Sequence, residues 1–221
     1  MIISCYYPSM PEEKIINLTV GPIATNCWIY RFNGNCAAII DPGDEADKII
    51  STLLKSRLVP KYILLTHGHF DHICAVPYLV SAFPGKLKIA IHIMDSEYLG
   101  PESYNVHKIS MKAALGDTSL MDAYWSEMPP ADILLEEGSV IGPFTVLHLP
   151  GHSPGSAAFW DKGEGVLFSG DTLFSGACGR TDLPGGNEKD MLASLRRLSG
   201  MDGNIKVYPG HGETTTIEDE K

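Results

Sequence analysis

Tyr62-Ile63-Leu64-Leu65 runs directly into Thr66-His67-Gly68-His69-Phe70-Asp71-His72. The first four residues form an apolar run of strand length, so the next seven fall where a buried strand ends and the chain turns. Counting from His67, three imidazoles and a carboxylate stand at i, i+2, i+4 and i+5. A solvated turn has no need of such a set. Neutral imidazole and carboxylate are the donors that borderline divalent ions prefer, so the stretch reads as part of a metal site.

Outward from this cluster the same local logic recurs. Leu149-Pro150-Gly151-His152, Leu167-Phe168-Ser169-Gly170-Asp171 and Val207-Tyr208-Pro209-Gly210-His211 each place a metal-capable side chain just past an apolar run. In each, a glycine before it lets the backbone bend closely. If these strands share an edge, the ligands converge at one mouth. His67, His69, Asp71, His72, His152, Asp171 and His211 are too many for one tetrahedral zinc and suit a two-metal centre.

Between the motifs, strands are expected at Ile15 to Val20, Asn26 to Phe32, Cys36 to Ile40, Tyr62 to Leu65 and Leu87 to Ile93. Further strands are expected over Gly142 to Leu149, Ser156 to Trp160, Gly165 to Ser169 and Lys206 to Tyr208. Helical spacing marks Asp47 to Ser56, Ile73 to Phe83 and Lys189 to Leu198. Met94 to Pro130 mixes Ala, Met, Leu and Tyr with Gly100, Pro101 and Gly116, and is expected to form short helices over one face of the site. Strands in both halves with helices interposed predict an αββα sandwich, two mixed sheets face to face with helices outside, within a single domain spanning 1–221.

Composition narrows the function classes. A formal net charge of −10 argues against nucleic-acid binding, which needs a basic face to displace counterions. No apolar stretch approaches the roughly 18 residues of a spanning helix, so no membrane partner is expected. The N-terminus, Met1 to Tyr6, lacks the pattern of a secretory leader. Five cysteines (Cys5, Cys27, Cys36, Cys74, Cys178) without a CxxC pair point to free thiols and a cytoplasmic location.

On THGHFDH, PGHSPGS, FSGDTLF, GACGRTDLPGG and PGHGE, in this order over nearly the whole chain, the sequence resembles the metallo-β-lactamase-fold hydrolases. Within them it resembles the glyoxalase II-like branch. The resemblance implies that His67, His69 and His152 hold one metal, that Asp71, His72 and His211 hold a second, and that Asp171 bridges both. The implied cofactors are two divalent ions, zinc first, with iron or manganese as alternatives. Two cations sharing a water stabilise hydroxide near neutral pH while one polarises a carbonyl. Asp71 is then catalytic as well, orienting the nucleophile or receiving a proton.

The implied substrate is a small-molecule ester or thioester, best exemplified by a hydroxyacyl thioester such as lactoylglutathione. Arg180 stands where such relatives use a basic residue to hold glutathione, but Asp182 stands where they carry an aromatic residue. The sequence ends ten residues after His211, so the C-terminal helical glutathione-binding region of the full-length family is expected to be absent. The substrate then need not carry glutathione. Relatives of the same fold suggest two alternatives, a lactonase and a mononuclear iron persulfide dioxygenase holding its ion with His67, His152 and Asp171.

The remaining residues of interest receive plainer readings. His92 is expected to be a core residue and His148 a packing residue, with support of the site as its alternative. His107 is expected to meet solvent. Cys74 reads as a small buried residue rather than a reactive thiol. Tyr104, Tyr124, Trp125 and Met128 either line a substrate entrance or pack the short helices.

Overall fold

The structure, a computed structural model, describes residues 13–221. The expectations for Cys5 and for Met1 to Tyr6 lie outside the described residues. In the first sheet, β1 (Ile15–Val20), β2 (Thr25–Phe32) and β3 (Cys36–Ile40) pair antiparallel. Helix α1 (Ala46–Lys55) then crosses over to β4 (Val59–Leu65), which runs parallel to β3. Helices α2 (Phe70–Ile73) and α3 (Val76–Ala82) cross over to β5 (Lys88–His92), parallel to β4. A 3-10 turn (Ile93–Tyr98), α4 (Ser103–Leu115) and α5 (Ser119–Tyr124) lead to β6 (Ile133–Leu135), again parallel.

The second sheet has the order β12-β11-β10-β9-β8-β7. It comprises β7 (Val140–Ile141), β8 (Phe144–His148), β9 (Ala157–Asp161), β10 (Val166–Gly170), β11 (Lys206–Pro209) and β12 (Thr215–Thr216). Helix α6 (Glu188–Ser199) carries the parallel crossover from β10 to β11, and the other pairs are antiparallel.

The period of two along each strand sorts the core into layers. Trp28, Tyr30, Phe32 and Leu64 of the first sheet meet Phe144, Val146, Phe159 and Phe168 of the second between the sheets. The alternate residues Cys27, Ile29, Ile63 and Leu65 pack under the helices of the first half. Leu147, Leu167 and Val207 pack with Leu198 of α6 on the far side. Both faces of each sheet are thus covered, which is why the strands read as near-continuous apolar runs. The Tyr30 hydroxyl donates to Asp161 at 2.6 Å and the Trp28 indole to the Pro209 carbonyl at 3.0 Å, pinning one sheet to the other.

Three differences from the expected elements have local causes. Strand β4 starts at Val59 rather than Tyr62, and its register against β3 shifts between Ala37 and Ala38, beside Pro60, which has no N–H for the ladder. The helix expected over Ile73 to Phe83 is two, because Pro77 is tolerated only in a first helical turn and so begins α3. The third is α4, a helix of 13 residues where only short ones were expected. Its buried face is Ser103, His107, Ser110 and Met111, correct in spacing but mostly polar.

His107 corrects an expectation. It does not meet solvent but is fully buried, enclosed by Phe70, Tyr98 and Trp125, with Nε2 donating to the Tyr98 carbonyl at 2.8 Å. Among the described residues, no helix is long and apolar enough to cross a membrane.

Candidate metal centre

The C-terminal ends of β4, β10 and β11 and the loop after β8 meet at one edge of the sandwich. His67 and His69 leave β4, Asp71 and His72 lie on α2, and His152, Asp171 and His211 follow strands of the second sheet. The glycines in these turns have a steric reason. A Cβ on Gly210 would lie 2.2 Å from Asp171 Oδ1 and 2.7 Å from the His72 ring, and one on Gly170 (φ 53°) would strike Thr66.

Six of the seven predicted residues come together as two triads, with Asp171 between them. Donor atoms of His67, His69 and His152 lie within 4.8 Å of one another, and so do those of Asp71, His72 and His211. In the first triad, His69 Nδ1 and His152 Nε2 are 2.8 Å apart. In the second, His72 Nε2 stands 3.2 Å from His211 Nε2, and Asp71 Oδ2 is 3.5 and 3.4 Å from those two nitrogens. Asp171 faces both triads: Oδ1 is 3.5 Å from His72 Nε2, and Oδ2 is 3.6 Å from His152 Nε2 and 3.6 Å from His211 Nε2. Donors held about 2.0–2.1 Å from a tetrahedral ion lie about 3.3 Å apart, close to most of these spacings.

The polar accounting shows that the donor set fits divalent cations. His67 Nε2, His69 Nε2 and Asp171 Oδ1 are buried without a hydrogen-bond partner. Buried polar atoms left unpaired cost about 1–3 kcal/mol each, so three in one cluster call for a ligand. Charge is divided between the triads. Burial first, then the neighbouring imidazoles, hold His67 well below its usual range, and burial and His152 take His69 to about 3. The first triad therefore offers neutral nitrogens, the form that binds metal. Burial also opposes charge on His72, but Asp171, Asp71 and Asp41 outweigh it and raise the imidazole to about 10. Carboxylates thus concentrate around the second triad.

Further groups, Asp41 and Thr25 among them, orient these side chains. Asp41, at the end of β3 with φ 51°, accepts from the Thr66 N–H at 2.8 Å, the Thr66 hydroxyl at 2.7 Å and His72 Nδ1 at 3.1 Å. Although it lies near His67 and His72, its oxygens are already engaged, so it orients rather than ligates. Such carboxylate–imidazole pairs set the tautomer and aim the other nitrogen at the ion. The Arg180 carbonyl does the same for His152 Nδ1 at 2.7 Å, and the Thr25 hydroxyl donates to Asp71 at 3.2 Å.

Asp95, fully buried in the 3-10 turn, accepts from the Gly68 N–H at 3.0 Å, the Ser153 hydroxyl at 2.7 Å and the Gly155 N–H at 2.6 Å. It joins the loop of His67 and His69 to the loop of His152. One sequence signal could have found Asp41 and Asp95: each follows an apolar strand end, as the ligands do.

The other candidates separate. The Arg180 guanidinium is exposed and forked onto Asp182 at 2.7 and 2.8 Å. His92 is buried and stacks on His148 at 3.9 Å between ring centroids, while His148 Nε2 donates to the Pro154 carbonyl at 2.9 Å, two residues beyond His152. Cys74 is buried, and burial pushes its thiol up to about 12, so it is not a reactive group. Cys27, Cys36 and Cys178 are free as well, Cys178 being exposed. Tyr124 lines a cavity beside Asp71, whereas Met128 and Trp125 belong to the helical core with Tyr104 against them.

Known proteins are similar to this chain over nearly its whole length. The family described as the metallo-beta-lactamase superfamily matches residues 20–211. A "probable metallo-hydrolase YqgX" of Bacillus subtilis is 34% identical, with 92% of each chain covered. A "hydroxyacylglutathione hydrolase GloC" of Haemophilus influenzae is 33% identical over 93% of this chain and 95% of that one. Among solved structures, TTHA1623 in a di-iron-bound form is 39% identical with a TM-score of 0.79, over 93% of this chain and 96% of the other.

Proposed function

The chain belongs to the metallo-beta-lactamase superfamily, and from that premise we propose that it is a two-metal hydrolase, zinc-loaded in the first instance, acting on hydroxyacyl thioesters such as lactoylglutathione. The observation that carries the reading is Asp171, whose two oxygens face two separate triads. One ion held by two histidines and an aspartate would leave Asp71, His72 and His211 without employment. The di-iron form of a 39% identical protein supports two ions, and the hydrolase name of the 33% identical relative supports the thioester class.

In this reading His67, His69 and His152 hold one ion, Asp71, His72 and His211 the other, and Asp171 both. Bound there, the ions supply an acidified water near neutral pH and a Lewis acid for the reacting carbonyl. The chain does the rest. Asp41 and the Arg180 carbonyl lock the tautomers of His72 and His152, so that their Nε2 atoms face the ions. Asp71 is the more open of the two acidic ligands, with 22% of its side chain exposed against 10% for Asp171. The Thr25 hydroxyl holds its Oδ2, and Asp71 can orient the nucleophile and take its proton. Arg180 is the substrate-side cation of this reading, and it would meet a substrate carboxylate only by releasing Asp182.

Metal analysis beside two assays tests the proposal. Protein loaded with zinc, iron or manganese in turn is expected to hold two ions per chain and to hydrolyse lactoylglutathione or a simpler hydroxyacyl thioester. A single iron per chain, persulfide-dependent oxygen uptake and no thioester hydrolysis would overturn it in favour of the dioxygenase.

A further inference from the structure

Away from the donor atoms, the ends of β5 and β8 meet across the two sheets. His92 closes β5 and His148 closes β8, and their rings stack with centroids 3.9 Å apart and planes 13° from parallel. Both rings also bind backbone. His92 Nδ1 accepts from the Met94 N–H at 3.3 Å, capping the 3-10 turn that carries Asp95. His148 Nε2 donates to the Pro154 carbonyl at 2.9 Å, inside the loop that carries His152. The backbone of His148 is itself fixed: its N–H donates to Glu137 at 2.7 Å and its carbonyl accepts from Arg197 at 3.2 Å, and those two side chains form an ion pair at 2.6 Å. We propose that His92 and His148 are positioning residues for the first triad, and that their stack sets where His152 presents its ring to the ion.

A closed circuit of contacts carries this inference, which rests on the two-metal reading above. Asp95 binds the Ser153 hydroxyl and the Gly155 N–H, on either side of Pro154, whose carbonyl His148 holds. The loop after His152 is therefore gripped from both sheets, by the turn after β5 and by the end of β8. The stacked rings join the two grips, so neither shifts without the other. Fit at the Asp95 grip is close, since a Cβ on Gly155 would lie 2.5 Å from the Asp95 carboxylate. Asp95 also holds the Gly68 N–H, so His67 and His69 share the same reference as His152. None of these bonds reaches Asp71, His72 or His211. Burial first, then His148, takes His92 down to about 4, so His92 is neutral at pH 7 and stacks without charge repulsion.

Cobalt(II)-loaded protein tests the pair by a readout other than turnover: chelator competition followed by visible absorption, whose bands report the ligand geometry of each ion. His211→Ala, which removes a ligand of the second triad, supplies the reference for an ion held by the first alone. His148→Phe keeps a ring against His92 and removes the donor to Pro154. It is expected to weaken the first ion by about tenfold and change its absorption bands, with the second ion's affinity unchanged. His148→Gln, which returns an N–H donor at similar reach, is expected to recover most of that loss. His92→Asn keeps an acceptor for the Met94 N–H but deletes the stacked face. It should also weaken the first ion, and it keeps the test available if His148→Phe does not fold. Equal weakening of both ions would overturn the proposal, and so would unchanged affinity and bands of the first ion in His148→Phe and His92→Asn. A wild type that binds only one ion removes the two-metal reading instead, and loss with recovery at that one ion still supports the pair. A wild type that binds no cobalt overturns both.

Discussion

At Asp171 a single carboxylate stands between two triads, so truncating it acts on both at once. Asp171→Ala is expected to lower bound metal and to cut activity by more than about a hundredfold, since even residues that only orient ligands cost about 10–100-fold. Normal metal content with normal turnover would remove Asp171 from the ligand set. Asp41 tests the orienting role. Asp41→Ala releases His72 Nδ1 and both Thr66 bonds, and a loss of about 10–100-fold in metal affinity is expected in a chelator competition. The seven residues proposed as ligands were legible because they cluster in short stretches after apolar runs, four of them directly behind a glycine. Asp41 does not stand out in the sequence, because a lone carboxylate before Pro-Gly is also ordinary turn chemistry.

Elements carry a second set of expectations. The 3-10 turn after β5 presents Asp95 to two loops, and each of those loops serves the first triad. Asp95→Ala is therefore expected to release metal from the His67, His69 and His152 site at lower chelator concentration than from the other. Simultaneous loss of both ions would show general loosening instead. Helix α4 was hidden because Ser103, His107 and Ser110 occupy a face that apolar residues normally mark. That choice leaves a pH signature. Burial lowers His107 to about 4, so between the unfolded value near 6.5 and about pH 4 only the unfolded chain takes up the proton. Stability must fall as pH falls through that window. Relative to His107→Phe, the wild type is expected to lose about 3 kcal/mol between pH 7 and pH 4 in urea unfolding, and parallel pH profiles would contradict the assignment.

For the whole molecule, the sandwich was legible from long apolar runs in both halves, while β6, β7 and β12, with two or three residues each, are too short to show a period. Their role is to end the sheets, not to hold ligands. Because the triads draw on both sheets, cation binding favours the closed sandwich over the unfolded chain. At a thousandfold excess over its Kd an ion adds about 4 kcal/mol, and a chain of this size gains about 2–4 °C in Tm per kcal/mol. Chelation is thus expected to lower Tm by on the order of 10 °C, and scanning calorimetry with and without chelator measures it. An unchanged Tm would mean that the seven residues are not a shared site.

The spacing of ligands along the chain has a consequence during synthesis. His67 and His69 leave the ribosome long before their partner His152, and Asp71 and His72 long before His211, which lies 144 positions after His67. A nascent chain ending between His152 and His211 can complete only the first triad. If metal enters during synthesis, the first site is complete before the second, and a chain carrying both ions must already have its last strand released and paired.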